Sequence, residues 1–293
     1  MTSMKLLIIG LDGLDHVLVE RWELSFYKQK YYGKHYVGFI KPLHTPIIWS
    51  CFLTGIDVSK SDYSFEKCIQ NRSRNALNPL LRPLYNLRLK LVHRPIGIRK
   101  ILIKLHLAKR YTPENMPERL LEKTFIEELK ARGFNVGVIE VPGYNEDRNA
   151  IYRPLVWKGV SIDLKEKEAF LEEIMKECER RVKTGMKYVD KGTDLVFVYL
   201  PMPDLAHHML FRGLRERLRL YMVYKELVEL IRPLMKSSED YIKLIVSDHG
   251  FNIREYSHTD YGFWSLSIQP SPWWDVKTIL DFKENIMKMF SGE

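Results

Sequence analysis

Three apolar runs in this chain each lead to an aspartate. KLLIIGL precedes Asp12, DLVFVYLPMP precedes Asp204, and KLIVS precedes Asp248, which His249 follows directly. Runs rich in Leu, Ile and Val are typical of strands that are buried on both faces of a sheet. In open α/β sheets, ligands bind at the carboxyl ends of such strands. The pattern therefore predicts three carboxylates and a histidine at one sheet edge, where a divalent cation is the usual stabilising partner.

Predicted strands and helices alternate along most of the chain. The strands are expected at 5–11, 36–43, 135–141, 194–200 and 241–247. The helices are expected at 18–25, 45–55, 114–131, 164–190, 212–236 and 275–290. This alternation indicates a mainly parallel sheet that helices cover on both faces. The predicted fold is therefore an α/β three-layer sandwich, formed as a single domain over residues 1–293.

Positive charge is concentrated in one segment. Residues 66–110 contain twelve Lys or Arg and one acidic residue, which gives +11, while the whole chain carries +9. We predict that residues 66–111 form a basic insertion or lid within the domain. Their mixture of Leu and Ile with Arg and Lys also fits binding to an anionic membrane surface. Nucleic-acid binding is disfavoured because aromatic residues are sparse there.

The remaining composition is that of an ordinary globular protein. The three cysteines are too scattered for a disulfide framework or a CxxC metal site. No apolar run approaches the roughly 20 residues that a membrane-spanning helix needs. The first residues lack the pattern of a cleavable signal peptide, so we expect a cytoplasmic protein.

His208 follows Asp204 by four positions in PDLAHH. If the chain turns into a helix there, both side chains point to one face and can bind the same ion. His258 is a third candidate ligand for that ion. One carboxylate with two imidazoles suits zinc or manganese better than magnesium.

Asp12, Asp248 and His249 form a second group of candidate ligands. Two ions roughly 3.5–4 Å apart would stabilise the attacking and leaving oxygens of an in-line displacement at phosphorus. Thr45 is a candidate nucleophile, because Pro46 places it at the predicted N-cap of a helix. Each of these residues alone could instead have only a structural role, as a helix cap or a buried core side chain.

The chain resembles the alkaline phosphatase superfamily, in particular its type I phosphodiesterase/nucleotide pyrophosphatase branch. The matching motifs are GLDG at 10–13, HTPIIWSCFLTG at 44–55, PDLAHH at 203–208, SDHG at 247–250 and HTDYG at 258–262. Each motif is short, but they occur in the family's order, and three of them directly follow predicted strands. The resemblance implies an alkaline phosphatase-like fold and a phosphodiesterase or nucleotide pyrophosphatase that acts on a small phosphoester substrate.

The resemblance also implies a role for each matching residue. Thr45 would be the nucleophile and would contact a metal ion. Two divalent ions are implied, with zinc as the first choice and manganese as the alternative. The implied metal ligands, besides Thr45, are Asp12, Asp248 and His249 for one ion and Asp204, His208 and His258 for the other. His207 would be a neighbour that points elsewhere.

The sequence departs from the family's pattern after the nucleophile helix. The Asn that often helps to hold a phosphoryl oxygen in diesterases has no counterpart around Ser64, Phe65 and Glu66, and a glycine-rich turn is replaced by IDVSKSDY. A phosphomonoesterase, a phosphomutase and a non-catalytic relative that binds anionic surfaces therefore stay open. A sulfatase is disfavoured, because Thr45 is followed by Pro-Ile-Ile rather than by that family's Cys/Ser-x-Pro-x-Arg motif.

Overall fold

One six-stranded sheet organises the fold. The computed structural model describes residues 4–61, 63–68, 115–147 and 163–292. Its strands are β1 (Leu6–Leu11), β2 (Tyr31–Tyr36), β3 (Val136–Ile139), β4 (Leu195–Leu200), β5 (Ile242–Val246), β6 (Gly250–Asn252), β7 (Ser257–Thr259) and β8 (Tyr261–Leu266). The strand order of the sheet is β2-β8-β5-β1-β4-β3, and β6 and β7 form a separate hairpin. Strands β5, β1, β4 and β3 are parallel, whereas β8 is antiparallel to both of its neighbours.

Helices cover both faces of this sheet. They are α1 (His16–Arg21), α2 (Thr45–Thr54), α3 (Glu118–Leu121), α4 (Phe125–Ala131), α5 (Leu164–Asp190), α6 (Asp204–Met209), α7 (Leu214–Ser237) and α8 (Asp281–Ser291), with a 3₁₀ turn at Val58–Lys60. A hydrophobic core lies on each face of the sheet. Successive residues of the central strands point into these two cores alternately, as the pleat of a strand requires. Leu7 and Ile9 pack with α1, α5 and α7, while Leu6 and Ile8 pack with α2, α4 and α8. This arrangement confirms the predicted three-layer α/β fold with a mainly parallel sheet.

Several predicted element boundaries are wrong. The extended segment expected at 36–43 lies earlier, in β2, and residues 37–40 form a turn in which the Ile40 N–H donates to the Val37 carbonyl at 3.0 Å. The helix expected at 114–131 is interrupted before Thr124, whose hydroxyl caps α4 by accepting from the Glu127 N–H at 3.2 Å. Strand β8 was not predicted, although it pairs with β5 inside the sheet.

The predicted basic insertion or lid at 66–111 falls almost wholly outside the described residues, so it stays a prediction. Within the part of the chain that the structure describes, no helix combines the length and the apolar character that crossing a membrane requires.

Candidate metal centre

The three aspartates that end apolar runs lie at the ends of three adjacent strands. Asp12 follows β1, and its N–H donates to the Leu200 carbonyl of β4 at 3.0 Å. The Asp204 N–H in turn donates to the Asp12 carbonyl at 2.9 Å. On the other side, the Gly13 N–H donates to Asp248 Oδ1 at 3.1 Å. Backbone hydrogen bonds thus hold the three carboxylates at the carboxyl edge of β5, β1 and β4.

Gly13 allows this close approach. Its φ angle is +70°, a conformation that glycine adopts at little cost. A Cβ atom at this position would lie 2.9 Å from the Cβ of Asp204. A larger residue would therefore force the strand ends that carry Asp12 and Asp204 apart.

Asp204, His208 and His258 form the more open part of the cluster. Asp204 Oδ2 lies 3.3 Å from His208 Nε2, and Asp204 Oδ1 lies 3.3 Å from His258 Nε2. The two imidazole Nε2 atoms are 3.1 Å apart. The side chains of His208 and His258 are 34% and 22% exposed, while that of Asp204 is 8% exposed. A ligand from solvent would therefore reach the cluster on the histidine side.

His249 joins the other two carboxylates in the buried part of the cluster. Its Nε2 lies 3.4 Å from Asp12 Oδ1 and 3.3 Å from Asp248 Oδ2. Its Nδ1 lies 3.1 Å from the Gly250 carbonyl oxygen. Because a carbonyl only accepts, this contact assigns a proton to Nδ1, and Nε2 is the ring atom that faces the two carboxylates.

Asp204 belongs to both parts of the cluster. One atom each of Asp204, His208 and His258 lies within 4.8 Å of the others, and the same is true of Asp12, Asp204 and His249. The sequence assigned Asp204 to one ion only. The structure places its carboxylate between the two groups of predicted ligands.

Charges inside the cluster shift its pKa values in opposite directions. Burial raises the pKa of Asp204, but the charges of His208 and His258 outweigh it and hold that pKa well below the usual range. Burial and the Asp12 charge raise the pKa of Asp248 well above its usual range. Burial opposes the charged form of His249, yet the nearby carboxylates raise its pKa to about 10. Asp248 is therefore the carboxylate of this cluster whose charged form is destabilised, by burial and by the neighbouring Asp12.

The donor atoms fit divalent metal ions. Asp204 Oδ1, Asp248 Oδ2 and His249 Nε2 are buried and have no hydrogen-bond partner among the described residues. Such atoms are costly to bury unless another group satisfies them. Carboxylate oxygens combined with imidazole nitrogens are donors that zinc and manganese both accept. The residues present are therefore suited to hold two divalent ions.

Helix α2 directs its N-terminus towards the same edge. Phe52 packs on Phe197 with ring centroids 5.8 Å apart, and Trp49 packs on Tyr199 at 5.5 Å. Helix α2 therefore runs antiparallel to β4, and its N-terminus lies near the carboxyl end of that strand. Thr45 lies one turn before Trp49 and is 4% exposed. The predicted N-cap role of Thr45 is wrong by one residue, since extended His44 is the N-cap.

Other residues that support the cluster were not predicted. The Tyr199 hydroxyl donates to Asp12 Oδ2 at 2.5 Å, from within a strand whose residues are all buried. Asp15 caps α1 by accepting from the Leu18 N–H at 2.8 Å, and it also accepts from the Phe251 N–H at 3.1 Å. An aspartate just before a helix is a recognisable capping signal, so Asp15 could have been found from the sequence.

His207 points away from the cluster, although it is adjacent in sequence to His208. Its Nε2 lies 2.9 Å from the Tyr224 hydroxyl, and its ring stacks on Phe251 with centroids 4.7 Å apart. Burial lowers the pKa of His207 to about 3, so the ring is neutral. It packs behind the ligand-type residues.

Comparison with solved structures finds proteins of similar fold. No protein-family model matches the sequence, and no curated protein is similar to it in sequence. A 2-O glycosaminoglycan sulfatase superposes with a TM-score of 0.56 at 10% identity, covering 99% of this chain and 71% of that one. A candidate sulfatase from Bacteroides thetaiotaomicron gives 0.55 at 10% identity with the same coverage. Murine ectonucleotide pyrophosphatase/phosphodiesterase 5, in complex with AMP, gives 0.45 at 13% identity and 85% of this chain.

These similarities concern the fold. This chain spans 57% of the length of the murine structure and 71% of the two sulfatase structures. The two sulfatase structures share with this chain a mostly parallel sheet between two helical layers. Its mostly parallel sheet and its helix-covered faces give this chain the alkaline phosphatase-like fold that the five sequence motifs predicted.

Proposed function

We propose that this protein is a metal-dependent phosphoester hydrolase, and specifically a phosphodiesterase or nucleotide pyrophosphatase with Thr45 as its nucleophile. The supporting observation is the convergence of three carboxylates and three imidazoles on the sheet edge towards which α2 directs its N-terminus. Perturbed, buried titratable groups that meet at such an edge are typical of functional sites.

Each ion would have its own side of the cluster. The residues that would hold the two ions are Asp204, His208 and His258 on the open side and Asp12, Asp248 and His249 on the buried side. When bound, divalent ions supply Lewis-acid stabilisation of phosphoryl oxygens and lower the pKa of a nearby hydroxyl. Asp204 lies within reach of both groups, so its carboxylate would help to hold both ions.

Thr45 is suited to attack phosphorus. It is the first residue of α2, so the positive end of the helix dipole lies beside it and favours phosphoryl oxygens. Its Oγ would form a bond to phosphorus while the bond to the leaving oxygen breaks, and solvent would exchange the protons. Water would then displace Oγ, which releases the phosphoryl product and restores the hydroxyl.

The exposed side of the cluster sets the direction of substrate approach. His208 and His258 are the most exposed of the six ligand-type side chains, so a phosphoester would enter beside them. In many diesterases an Asn after the nucleophile helix helps to hold a phosphoryl oxygen of the substrate. The sequence predicts no such Asn around residues 64–66, so that contact to the substrate would be absent. Of the two residues that could replace this Asn, Lys67 lies within the described part of the chain and Asn71 lies outside it.

One assay series tests this proposal. Purified protein loaded with zinc or manganese should hydrolyse bis(p-nitrophenyl) phosphate faster than p-nitrophenyl phosphate, and p-nitrophenyl sulfate should not react. Thr45→Ala serves as the background control in every arm. Preference for the monoester would favour the phosphomonoesterase alternative, and turnover of the sulfate would favour a sulfatase. No turnover of any ester by fully loaded protein would favour a non-catalytic relative.

A further inference from the structure

Helix α7 has two apolar faces. Leu220, Val223 and Leu227 face the core and are fully buried. On the opposite side, Leu214 and Leu218 are 75% and 57% exposed. Met222, one turn further on, is 47% exposed. Because residues four apart lie above one another, these side chains form one continuous exposed stripe. We call Leu214, Leu218 and Met222 the outer stripe.

Unpaired positive charges flank the outer stripe. Arg215 and Arg217 are exposed on either side of it, and neither forms an ion pair with a described residue. Each of the three acidic residues of α7 forms an ion pair, and Glu229 pairs with Arg232 at 2.8 Å. Glu216 pairs with Lys167 at 2.6 Å, and Glu226 pairs with Arg219 at 3.0 Å. The exposed face is therefore apolar in the middle and cationic at its borders.

The outer stripe lies on the same side of the molecule as the metal cluster. The far end of α7 contacts the start of β5, where the Tyr241 N–H donates to the Ser238 carbonyl at 3.0 Å. Tyr224 reaches the level of the cluster through its hydrogen bond to His207. Leu214 precedes Tyr224 by ten residues, which is about 15 Å along a helix axis. The first turns of α7 therefore project beyond the carboxyl edge of the sheet.

The neighbouring hairpin extends this surface. Phe211 packs on Tyr256 with ring centroids 4.3 Å apart, and Tyr256 is 49% exposed at the β6–β7 turn. Arg254 and Glu255 in the same turn are both exposed, so the turn adds no net charge. Aromatic side chains thus continue from the outer stripe towards His258 of β7.

We infer that the outer stripe and its flanking arginines dock this protein on an anionic lipid bilayer. A helix that lies in a membrane interface has an apolar stripe that enters the headgroup region and basic residues that contact anionic lipids. A second copy of the chain is a poorer occupant, because a two-fold contact would bring Arg215 and Arg217 against the same residues. Nucleic acid is also poorer, because it has no apolar layer for Leu214 and Leu218. The inference does not depend on the proposed activity.

Vesicle co-sedimentation of the full chain tests the docking surface. Wild type should bind phosphatidylcholine vesicles that contain phosphatidylserine, and bind pure phosphatidylcholine weakly. Leu214→Glu/Leu218→Glu should reduce the partition coefficient at least about tenfold, since two apolar side chains are withdrawn from the interface. Ile268→Glu is the matched control, because Ile268 is 41% exposed at the opposite edge of the sheet.

A charge-reversal pair separates the electrostatic contribution. Arg215→Glu/Arg217→Glu should lower binding to anionic vesicles and flatten its salt dependence, because exposed charges are screened over roughly 8 Å at physiological salt. Lys187→Glu, an exposed substitution at the far end of α5, should bind as wild type does. Unchanged thermal unfolding of all variants shows that the fold is intact.

A fluorescent reporter tests insertion directly. The three native cysteines are buried, so Leu218→Cys can be labelled selectively with an environment-sensitive dye. Vesicles should shift its emission to shorter wavelength, whereas the same dye on Ile268→Cys should not respond.

Three results would overturn the inference. One is a wild type that does not bind anionic vesicles, and another is a Leu214→Glu/Leu218→Glu variant that binds them as well as wild type does. The third is duplex DNA binding as tight as vesicle binding and lost through the same substitutions, because the surface would then recognise polyanions. Turnover of soluble esters should be unaffected by these variants, so a failure here is distinguishable from a failure of the proposed function.

Discussion

The hydroxyl of Tyr199 donates a 2.5 Å hydrogen bond to Asp12 Oδ2 across the adjacent strands β4 and β1. Both residues are buried, and the guanidinium of Arg181 donates to the Tyr199 carbonyl at 3.1 Å. The bond holds one oxygen of Asp12, while the other lies 3.4 Å from His249 Nε2. Tyr199 is therefore a positioning residue for this carboxylate.

Tyr199→Phe should keep the ring packing and remove that hydrogen bond. Second-layer partners of metal ligands typically contribute 10–100-fold in affinity, so we expect zinc binding to weaken by about that factor. Isothermal titration measures the change. Tyr241→Phe is the control, because its hydroxyl donates to the Thr193 carbonyl at 2.8 Å near the start of β5, far from the cluster. Equal zinc affinity in the two variants would contradict the positioning role.

The number of bound metal ions should differ between a variant of Asp204, which lies in both groups of ligand-type residues, and a variant of His208, which lies in one. Elemental analysis of zinc-loaded wild type should give up to two ions per chain. His208→Ala should lose the ion on the open side, whereas Asp204→Asn should weaken both, because its carboxylate lies within reach of both groups. Prolonged chelation should remove all zinc and all turnover. An Asp204→Asn variant that loses one ion only would show that Asp204 serves a single site.

Thr45→Ala should abolish ester turnover and leave zinc stoichiometry and unfolding unchanged. Thr45→Ser should retain part of the turnover, because it keeps the hydroxyl. Steady-state kinetics on bis(p-nitrophenyl) phosphate measures both effects. Substantial turnover by Thr45→Ala would mean that water attacks the ester directly.

Gly13→Ala should be more destabilising than the same change at another left-handed glycine. The new methyl group would lie 2.9 Å from the Asp204 Cβ, in addition to the strain at φ +70°. A strained backbone position costs about 1–3 kcal/mol, and the clash adds to it. Gly192→Ala, at φ +69° with no atom within 4 Å, measures the strain alone. Urea unfolding of both variants gives the comparison, and equal losses would show that the loop accommodates the methyl group.

His35 should make stability depend on pH. Burial lowers its pKa to about 3, so the folded protein keeps it neutral while the unfolded chain takes up a proton below pH 6.5. The unfolded state therefore binds more protons, and stability should fall as pH drops from 6.5 towards 3, by at most about 1.4 kcal/mol per pH unit. His35→Asn should have a shallower slope in urea unfolding between about pH 6.5 and pH 5. Parallel slopes would show that His35 does not contribute.

Sequence patterns located the central strands and the cluster because both depend on strong local signals. The run LLIIGL is buried throughout, so its apolar residues are sufficient to identify β1 and to place Asp12 at its end. Helix α5 was predicted with its observed limits, since Asp163 caps its start by accepting from the Glu166 N–H at 2.9 Å.

Features that depend on tertiary contacts were missed. Strand β8 contains Gly262 and Ser265 within an irregular pattern, and its place beside β5 follows from pairing rather than from propensity. Tyr199 looks like any other buried strand residue, because only the neighbouring strand shows that its hydroxyl meets Asp12. Asp204 reaches both groups of ligand-type residues because Gly13 lets its backbone come close. The sequence shows Gly13 only as part of the GLDG turn and does not show this contact.

The strand order also sets when the cluster can exist. The hydrogen bond from Gly13 to Asp248 joins residues that are 235 positions apart, and β4 contributes Asp204 between them in sequence. The parallel pairing of β1 with β4 and β5 likewise joins distant parts of the chain, and contacts between distant residues are slow to form. During synthesis, the first ligand-type residue emerges long before its partners, so no amino-terminal fragment that ends before β5 can complete the cluster. Zinc uptake by a nascent or refolding chain would therefore report the final closure of the central sheet.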